Sequence, residues 1–215
     1  MLKLSYSNLP LEGGTDEAGR GCLAGPVVAA SVVFSALLNT NDAQFLNQIN
    51  DSKKITASKR HQISNFIKEY ATSYAISMVE PTDIDKINIL NASILAMQKS
   101  ILKLNPTPTY IIIDGNRFSE LSPLVSQKQI NPKEGCFQNI PYKTIVKGDS
   151  IFLSIAAASI LAKTYRDEYM NKIHEEYPMY NWKKNKGYPT KEHRAAILNY
   201  GITKHHRLSF RLVTE

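Results

Sequence analysis

The chain has 215 residues, a net charge of +7 and two cysteines, with hydrophobic and charged fractions of 43% and 21%. That composition suits one sizeable core in a globular protein and excludes a disulfide framework; with no CxxC or Cys/His cluster it also excludes a zinc module. No apolar run approaches a membrane span and the first residues carry no signal-peptide pattern, so a cytoplasmic, reducing setting is expected.

Leu11 to Thr15 reads as the end of a first strand, running into the adjacent acids Asp16 and Glu17. Pro26 to Phe34 is a run of β-branched and small residues with strand propensity throughout. Asn39 to Asp42 is a loop, and Asn50 to Thr56 a polar turn with two lysines. Thr56 is placed to cap a helix to Tyr70, whose Ile63, Phe66, Ile67 and Tyr70 share a face. Ser73 to Val79 alternates as a strand. Thr82 and Asp85 have capping-box spacing and open a helix to about Leu104.

Tyr110 to Ile113 is a short buried strand ending in Asp114-Gly115-Asn116. The interval 117–143 has no clear periodicity, and a loop that long inside a compact domain is unusual, so short elements are expected within it. Thr144 to Val146 is a further strand, leading through Lys147-Gly148-Asp149 into a long helix from Ser150 that Pro178 stops. Its small residues Ala156, Ala157, Ala158 and Ala162 let one face lie close to a sheet. Thr190 can cap a short helix that Gly201 ends. Strands interleaved with helices give an α/β fold, and the short turn between the first two strands makes the sheet mixed.

The charge is uneven. Eight basic residues between Asn181 and Arg211 face only Glu192, and the rest of the chain balances, so the whole excess lies in this segment. Such a patch suits a polyanion. The adjacent His205 and His206, with no further clustered ligands, read as surface or phosphate-facing residues.

Asp16-Glu17, Asp114 and Asp149 each end a predicted strand with glycine close by. Strand ends converge at one rim of an α/β sheet, where ligands bind. Carboxylates gathered there repel unless a cation intervenes, and all-oxygen ligands favour Mg2+ or Mn2+. Two such ions can activate water and stabilise the leaving oxygen of a phosphodiester. Each acid also has a plainer reading: Asp149 or Ser150 as a helix cap, Asp114 as a turn residue. Asp16 and Glu17 would point to opposite faces of a regular strand, so sharing one site requires the chain to leave strand geometry there. Gly19 to Ala24 matches the loose dinucleotide pattern G-x-G-x-x-A, but a strand rather than a helix follows, and upstream acids would oppose a pyrophosphate.

With these residues in view, the chain resembles the ribonuclease HII family over nearly its whole length. The resemblance rests on "DEAGRGCLAGPVVAA" (Asp16 to Ala30), "DSKKIT" (Asp51 to Thr56), "IIIDGN" (Ile111 to Asn116), "VKGDSIFLSIAAASILAKTYRD" (Val146 to Asp167), "KGYPTKEH" (Lys186 to His193) and "HHRLSF" (His205 to Phe210). It implies a ribonuclease H-like fold with a central mixed five-stranded sheet flanked by helices and a helical C-terminal region. It implies one catalytic domain over 1–215, with 181–215 a basic substrate-binding region. It implies that Asp16, Glu17, Asp114 and Asp149 hold two ions, Asp16 bridging them. Gly19-Arg20-Gly21 would read a ribose 2′-hydroxyl through the main chain, and Tyr188 would pack on the next sugar. Ser52, Lys53, Lys54, Lys147, Arg207 and Ser209 would face phosphate. The implied activity is hydrolysis of RNA in RNA/DNA hybrids and cutting 5′ of ribonucleotides embedded in duplex DNA, by a monomer without a membrane partner.

Cys22 stands where the family usually has proline, and Pro189 where it commonly has glycine. Tyr188 could otherwise simply cover the short helix. Two other readings stay open: a different metal-dependent nuclease of the ribonuclease H-like superfamily, and a non-catalytic basic nucleic-acid-binding module.

Overall fold

The computed structural model describes residues 2–35, 46, 48–49, 55–120 and 133–213. Six strands form one mixed sheet: β1 (Glu12–Ala18), β2 (Val27–Val33), β3 (Ser73–Val79), β4 (Tyr110–Asp114), β5 (Glu134–Phe137) and β6 (Ile140–Ile145). Their spatial order is β3-β2-β1-β4-β6-β5. β1 runs parallel to β4, and β4 to β6, while β2, β3 and β5 are antiparallel to their neighbours. The carboxyl ends of β1, β4 and β6 therefore share one rim.

The faces of β2 assign the layers. Val27, Ala29 and Val33 pack with α2 (Pro81–Ile101) on one side of the sheet. Val28, Ala30 and Val32, one register over, pack with α1 (Ala57–Tyr70) and α3 (Leu153–Glu176) on the other. Period-two side chains buried on both faces explain why β2 reads as a continuous apolar run. α3 lies almost flush on β1: a Cβ on Gly14 would stand 2.5 Å from the Ser154 carbonyl carbon. Only glycine leaves room for the helix backbone there. A further cluster joins Leu23 and Ala24 to the far end of α3, the short helix α4 (Trp182–Asn185) and α5 (Lys191–Tyr200).

Four local expectations change. The sheet has six strands, not five, because β5, within the aperiodic 117–143 interval, pairs in a hairpin with β6, which begins there too and runs on into the expected strand at Thr144. Its turn residues Gln138 and Asn139 both have positive φ, 49° and 65°, the primed-turn geometry that glycine normally marks. The capping box at Thr82 is not formed: Glu80 precedes Pro81 at the helix start with no side-chain cap. Instead α2 breaks at Asn88 (φ 64°), whose Oδ1 accepts from the Asn91 amide and caps the second half. Neither Asp149 nor Ser150 caps α3; both lie in a 3-10 turn, Gly148–Ser150, and the cap position is Phe152. Thr56 and Thr190 do cap their helices, each accepting from the amide three residues on. No described helix is long and apolar enough to cross a membrane.

Candidate active site

The rim begins where β1 parts from β4. Their parallel pairing ends at Thr15 and Ile113, while β1 continues to Ala18 against β2. Asp16 and Glu17 thus stay in strand geometry, contrary to the expected departure from it, and a crevice opens between the two strand ends. Asp16 turns to the α3 side, where the Ser159 hydroxyl hydrogen-bonds its carboxylate. Glu17 and Asp114 line a cavity of about 280 Å3 on the α2 side, with Arg20, Ser93, Met97 and Arg117 among its walls.

Both β1 acids feel Asp114. Burial, then Glu17, then Asp114, hold the Asp16 carboxyl well above the usual carboxylate range, against the Ser159 hydrogen bond. Burial also raises Glu17; Arg20, 3.2 Å from its Oε1, pulls it down and Asp114 pushes it up. These are the effects of like charges drawn together in a partly dry site. Asp114 in turn accepts the Gly148 amide at 2.7 Å, which ties the turn carrying Asp149 to the same rim. Asp149 is half-buried there.

Among the described residues, no three His, Cys, Asp or Glu side chains close into a ready-made ion cage. The donor set nevertheless fits a hard divalent cation. It is made of carboxylate oxygens whose mutual repulsion such an ion would relieve.

Beside the acids sits the Gly19-Arg20-Gly21 loop. Gly19 has φ 94°, and a Cβ there would run into the Arg166 guanidinium. Gly21 is open on its outer side, with nothing within 4 Å of an added Cβ, so its backbone can be approached closely. Two buried arginines hold this loop. Arg166 donates to the carbonyls of Pro26 (3.0 Å), Ala24 (2.9 Å) and Lys186 (2.8 Å). Arg207 donates to Gly25 O and Arg20 O, both at 2.9 Å.

The expected phosphate contact of Arg207 is thereby corrected. The side chain is fully buried and braces the loop from beneath. Ser209 is corrected too: its amide and hydroxyl donate to Asp85 Oδ1, at 2.8 and 2.6 Å, next to an anion that would repel phosphate.

Tyr188 is 43% exposed beside this loop. Its hydroxyl shares a hydrogen bond with buried Cys22, and burial, then Cys22, raise its pKa. The Leu23 amide donates to Gly187 O at 2.7 Å, so the two loops are clamped together. Behind Tyr188 the histidines form a neutral chain. His193 Nε2 accepts from the Trp182 indole at 2.9 Å, which leaves its Nδ1–H to donate to Tyr188 O at 3.0 Å. His206 Nδ1 accepts from the Thr203 amide, leaving its Nε2–H for His193 Nε2 at 3.3 Å. The surface reading of His205 and His206 is therefore corrected: both are buried.

Lys147 is exposed, in a left-handed conformation (φ 57°) just before the Asp149 turn. Ser52, Lys53 and Lys54 lie outside the described residues. Of the basic segment, Lys183, Lys184 and Lys191 are exposed, whereas Arg194 donates to the carbonyls of Arg211 and Leu212. Sequence reasoning missed Ser159 and Arg166. Both lie in the alanine-rich motif, where a serine and an arginine on a buried helix face were the available signal.

Comparison with known proteins identifies the family of the chain. The ribonuclease HII family profile, described as "Ribonuclease HII", matches residues 13–213. The Ribonuclease HII of Flavobacterium psychrophilum is 54% identical over 100% of this chain and 97% of its own length. That of Bacteroides thetaiotaomicron is 48% identical over 99% and 96%. Among solved structures, the ribonuclease H2 of Pyrococcus horikoshii superposes with a TM-score of 0.68 at 22% identity, covering 94% of each chain. The RNase HII of Archaeoglobus fulgidus, solved in complex with PCNA, gives 0.71 at 21% identity over 95% of this chain and 97% of that one. A Bst-RNase HIII in complex with Mn2+ gives 0.67 at 19% identity over 94% and 67%. The solved structures share the fold, and the sequence relatives align with about half their residues identical over nearly the whole chain: this chain belongs to the ribonuclease HII family.

Proposed function

We propose that the chain is a divalent-metal-dependent endoribonuclease that cuts the RNA strand of RNA/DNA hybrids and cleaves 5′ of single ribonucleotides embedded in duplex DNA. Its products carry 3′-hydroxyl and 5′-phosphate ends. The observation that carries this reading is the placement of the Asp16, Glu17 and Asp114 carboxylates against an open-faced glycine loop that a tyrosine adjoins.

Asp16, Glu17, Asp114 and Asp149 would hold two ions, Mg2+ or Mn2+, and Asp16, deepest of them and fixed by Ser159, would serve both. Bound there, the ions would supply an activated water and stabilise the leaving oxygen. The chain's own residues do the rest. Arg20 favours the anionic form of Glu17, against the burial and the Asp114 charge that oppose it. The Gly19-Arg20-Gly21 backbone, held by Arg166 and Arg207, presents main-chain groups to the 2′-hydroxyl, the group that distinguishes RNA from DNA. Tyr188 packs on the following sugar, and Lys147 with Ser52, Lys53 and Lys54 meets phosphate. Residues 1–215 act as one monomeric catalytic domain in the cytoplasm. Its 181–215 region contributes the exposed Lys183, Lys184 and Lys191 to the duplex.

The test is a duplex carrying one ribonucleotide, incubated with and without Mg2+ or Mn2+. Metal-dependent cleavage 5′ of that residue, with none of an all-DNA duplex, is expected. Cleavage of both duplexes would favour another nuclease of the superfamily, and binding without cleavage in any metal would favour a non-catalytic module.

A further inference from the structure

A second basic surface lies on the other side of the rim, built from parts of the chain that sequence reading left unremarked. Lys3 is stitched to the start of α3: its amide donates to Ile151 O at 2.8 Å and its carbonyl accepts from the Leu153 amide at 2.9 Å. The next turn is closed on the buried Glu12 carboxylate. That group accepts the amides of Tyr6 (2.8 Å) and Ser7 (2.6 Å) and the hydroxyls of Ser5 (3.1 Å) and Ser7 (2.6 Å). The turn sets the Tyr6 ring against Tyr110, with centroids 6.0 Å apart and planes at 28°, and edge-on to Phe152, while leaving the residue 43% exposed.

Facing Tyr6 across a groove of about 470 Å3 is the β5–β6 hairpin. Lys3, Lys133 and Lys143 stand around the groove, and Val146 and Phe152 form part of its apolar wall. Glu134 pairs with Lys143 directly across the hairpin, leaving the surround net positive. Gly115 and Asn116 border this groove and also the cavity that holds Glu17 and Asp114. The two spaces are thus neighbours across one short turn.

We infer that this groove is a second substrate track, taking the nucleic-acid strand as it leaves the carboxylates. The inference rests on the nuclease reading above and extends it to a subsite. A strand held at Asp114 that leaves over Gly115-Asn116 enters the groove, because those two residues line both spaces. Lysines separated by apolar and aromatic surface match alternating phosphates and sugars or bases. An acidic peptide would use the lysines but has no call on Tyr6, Val146 and Phe152 in the same register. The balanced charge of the chain outside 181–211 conceals the patch, because Lys3, Lys133 and Lys143 meet only in the fold.

The test is a ladder of duplexes with one central ribonucleotide and arms lengthened independently on each side. Cleavage by wild type is compared with Lys3→Gln/Lys133→Gln, and with Lys133→Gln alone, whose residue is exposed. The wild-type kcat/KM should rise as one arm lengthens. The double variant should lose about 10-fold on the longest substrate and less than 2-fold on the shortest, with its salt slope reduced by about two phosphates' worth. Lys133→Gln alone should lose part of the same arm-dependent gain. Equal loss at every length, or no loss at any, overturns the track. If wild type cleaves no member of the ladder, the nuclease reading falls. The track is then judged on fluorescence anisotropy with the same duplexes, where an arm-length gain absent from the double variant supports it and no such gain overturns it.

Discussion

The molecule buries charge in two adjoining places with opposite results. At the rim, burial, Glu17 and Asp114 raise the proton affinity of Asp16, burial and Asp114 raise that of Glu17, and Ser159 and Arg20 answer them only in part. A few residues away, Arg166 and Arg207 are at least as buried, yet their guanidiniums are spent on five backbone carbonyls. Even pulled down to about 10 by burial, Arg207 stays charged at neutral pH. Charge that meets fixed dipoles becomes architecture. Charge that meets its own kind remains available to a cation and is held in place by that architecture.

Exchanging the charges one at a time tests this contrast. Asp16→Asn should lower cleavage by on the order of 10³-fold or more, the scale of losing a principal electrostatic element of a site. It should leave hybrid binding and the thermal midpoint nearly unchanged, since it removes a buried repulsion. Near-normal turnover in a single-ribonucleotide assay would dismiss Asp16 from the chemistry. Arg166→Met reverses the pattern. Three carbonyls lose their donor, which should cost about 3 kcal/mol or more, or a drop of roughly 10 °C in Tm for a chain of this size. A calorimetric midpoint within a degree or two of wild type would contradict the bracing role.

The histidine chain gives the clamp a pH signature. Burial lowers His206 to about 4 and also lowers His193. The unfolded chain takes up these protons from about 6.5 downward while the fold refuses them. Their contribution to stability is complete above that value and declines as the pH falls toward 4. Urea midpoints should follow this decline. His206→Phe should be less stable at pH 7 but show a shallower acid slope; an unchanged slope would remove His206 from the account. The smallest effect is expected at Cys22→Ala, which frees the Tyr188 hydroxyl while leaving both loops clamped. Its KM for the single-ribonucleotide duplex should rise about 3-fold with kcat held, in keeping with the loss of one weak hydrogen bond. An unaltered KM would show that Cys22 does not position Tyr188.

The rim was the more legible half. Acids at strand ends with glycine nearby are local patterns, and strands β2, β3 and β4 announce themselves by β-branched runs and alternation. The clamp was hidden because its partners are backbone carbonyls, which carry no residue identity. Nothing in "HHRLSF" says that Arg207 faces Arg20 O rather than solvent, or that Asp85 has already taken Ser209. The β5–β6 hairpin escaped for a related reason: Gln138 and Asn139 adopt φ values that sequence reading reserves for glycine. The kink at Asn88 did likewise, an asparagine in mid-helix acting as a cap.

The brace from Arg207 to the carbonyl of Arg20 spans 187 positions along the chain. During synthesis the acids Asp16, Glu17, Asp114 and Asp149 all emerge before it. A chain arrested on the ribosome short of Arg207 would carry every carboxylate but not the side chain that steadies the loop beside them. The order of translation therefore makes the acids early and the brace last, so a half-made molecule carries the carboxylate rim beside a glycine loop that nothing yet holds from beneath.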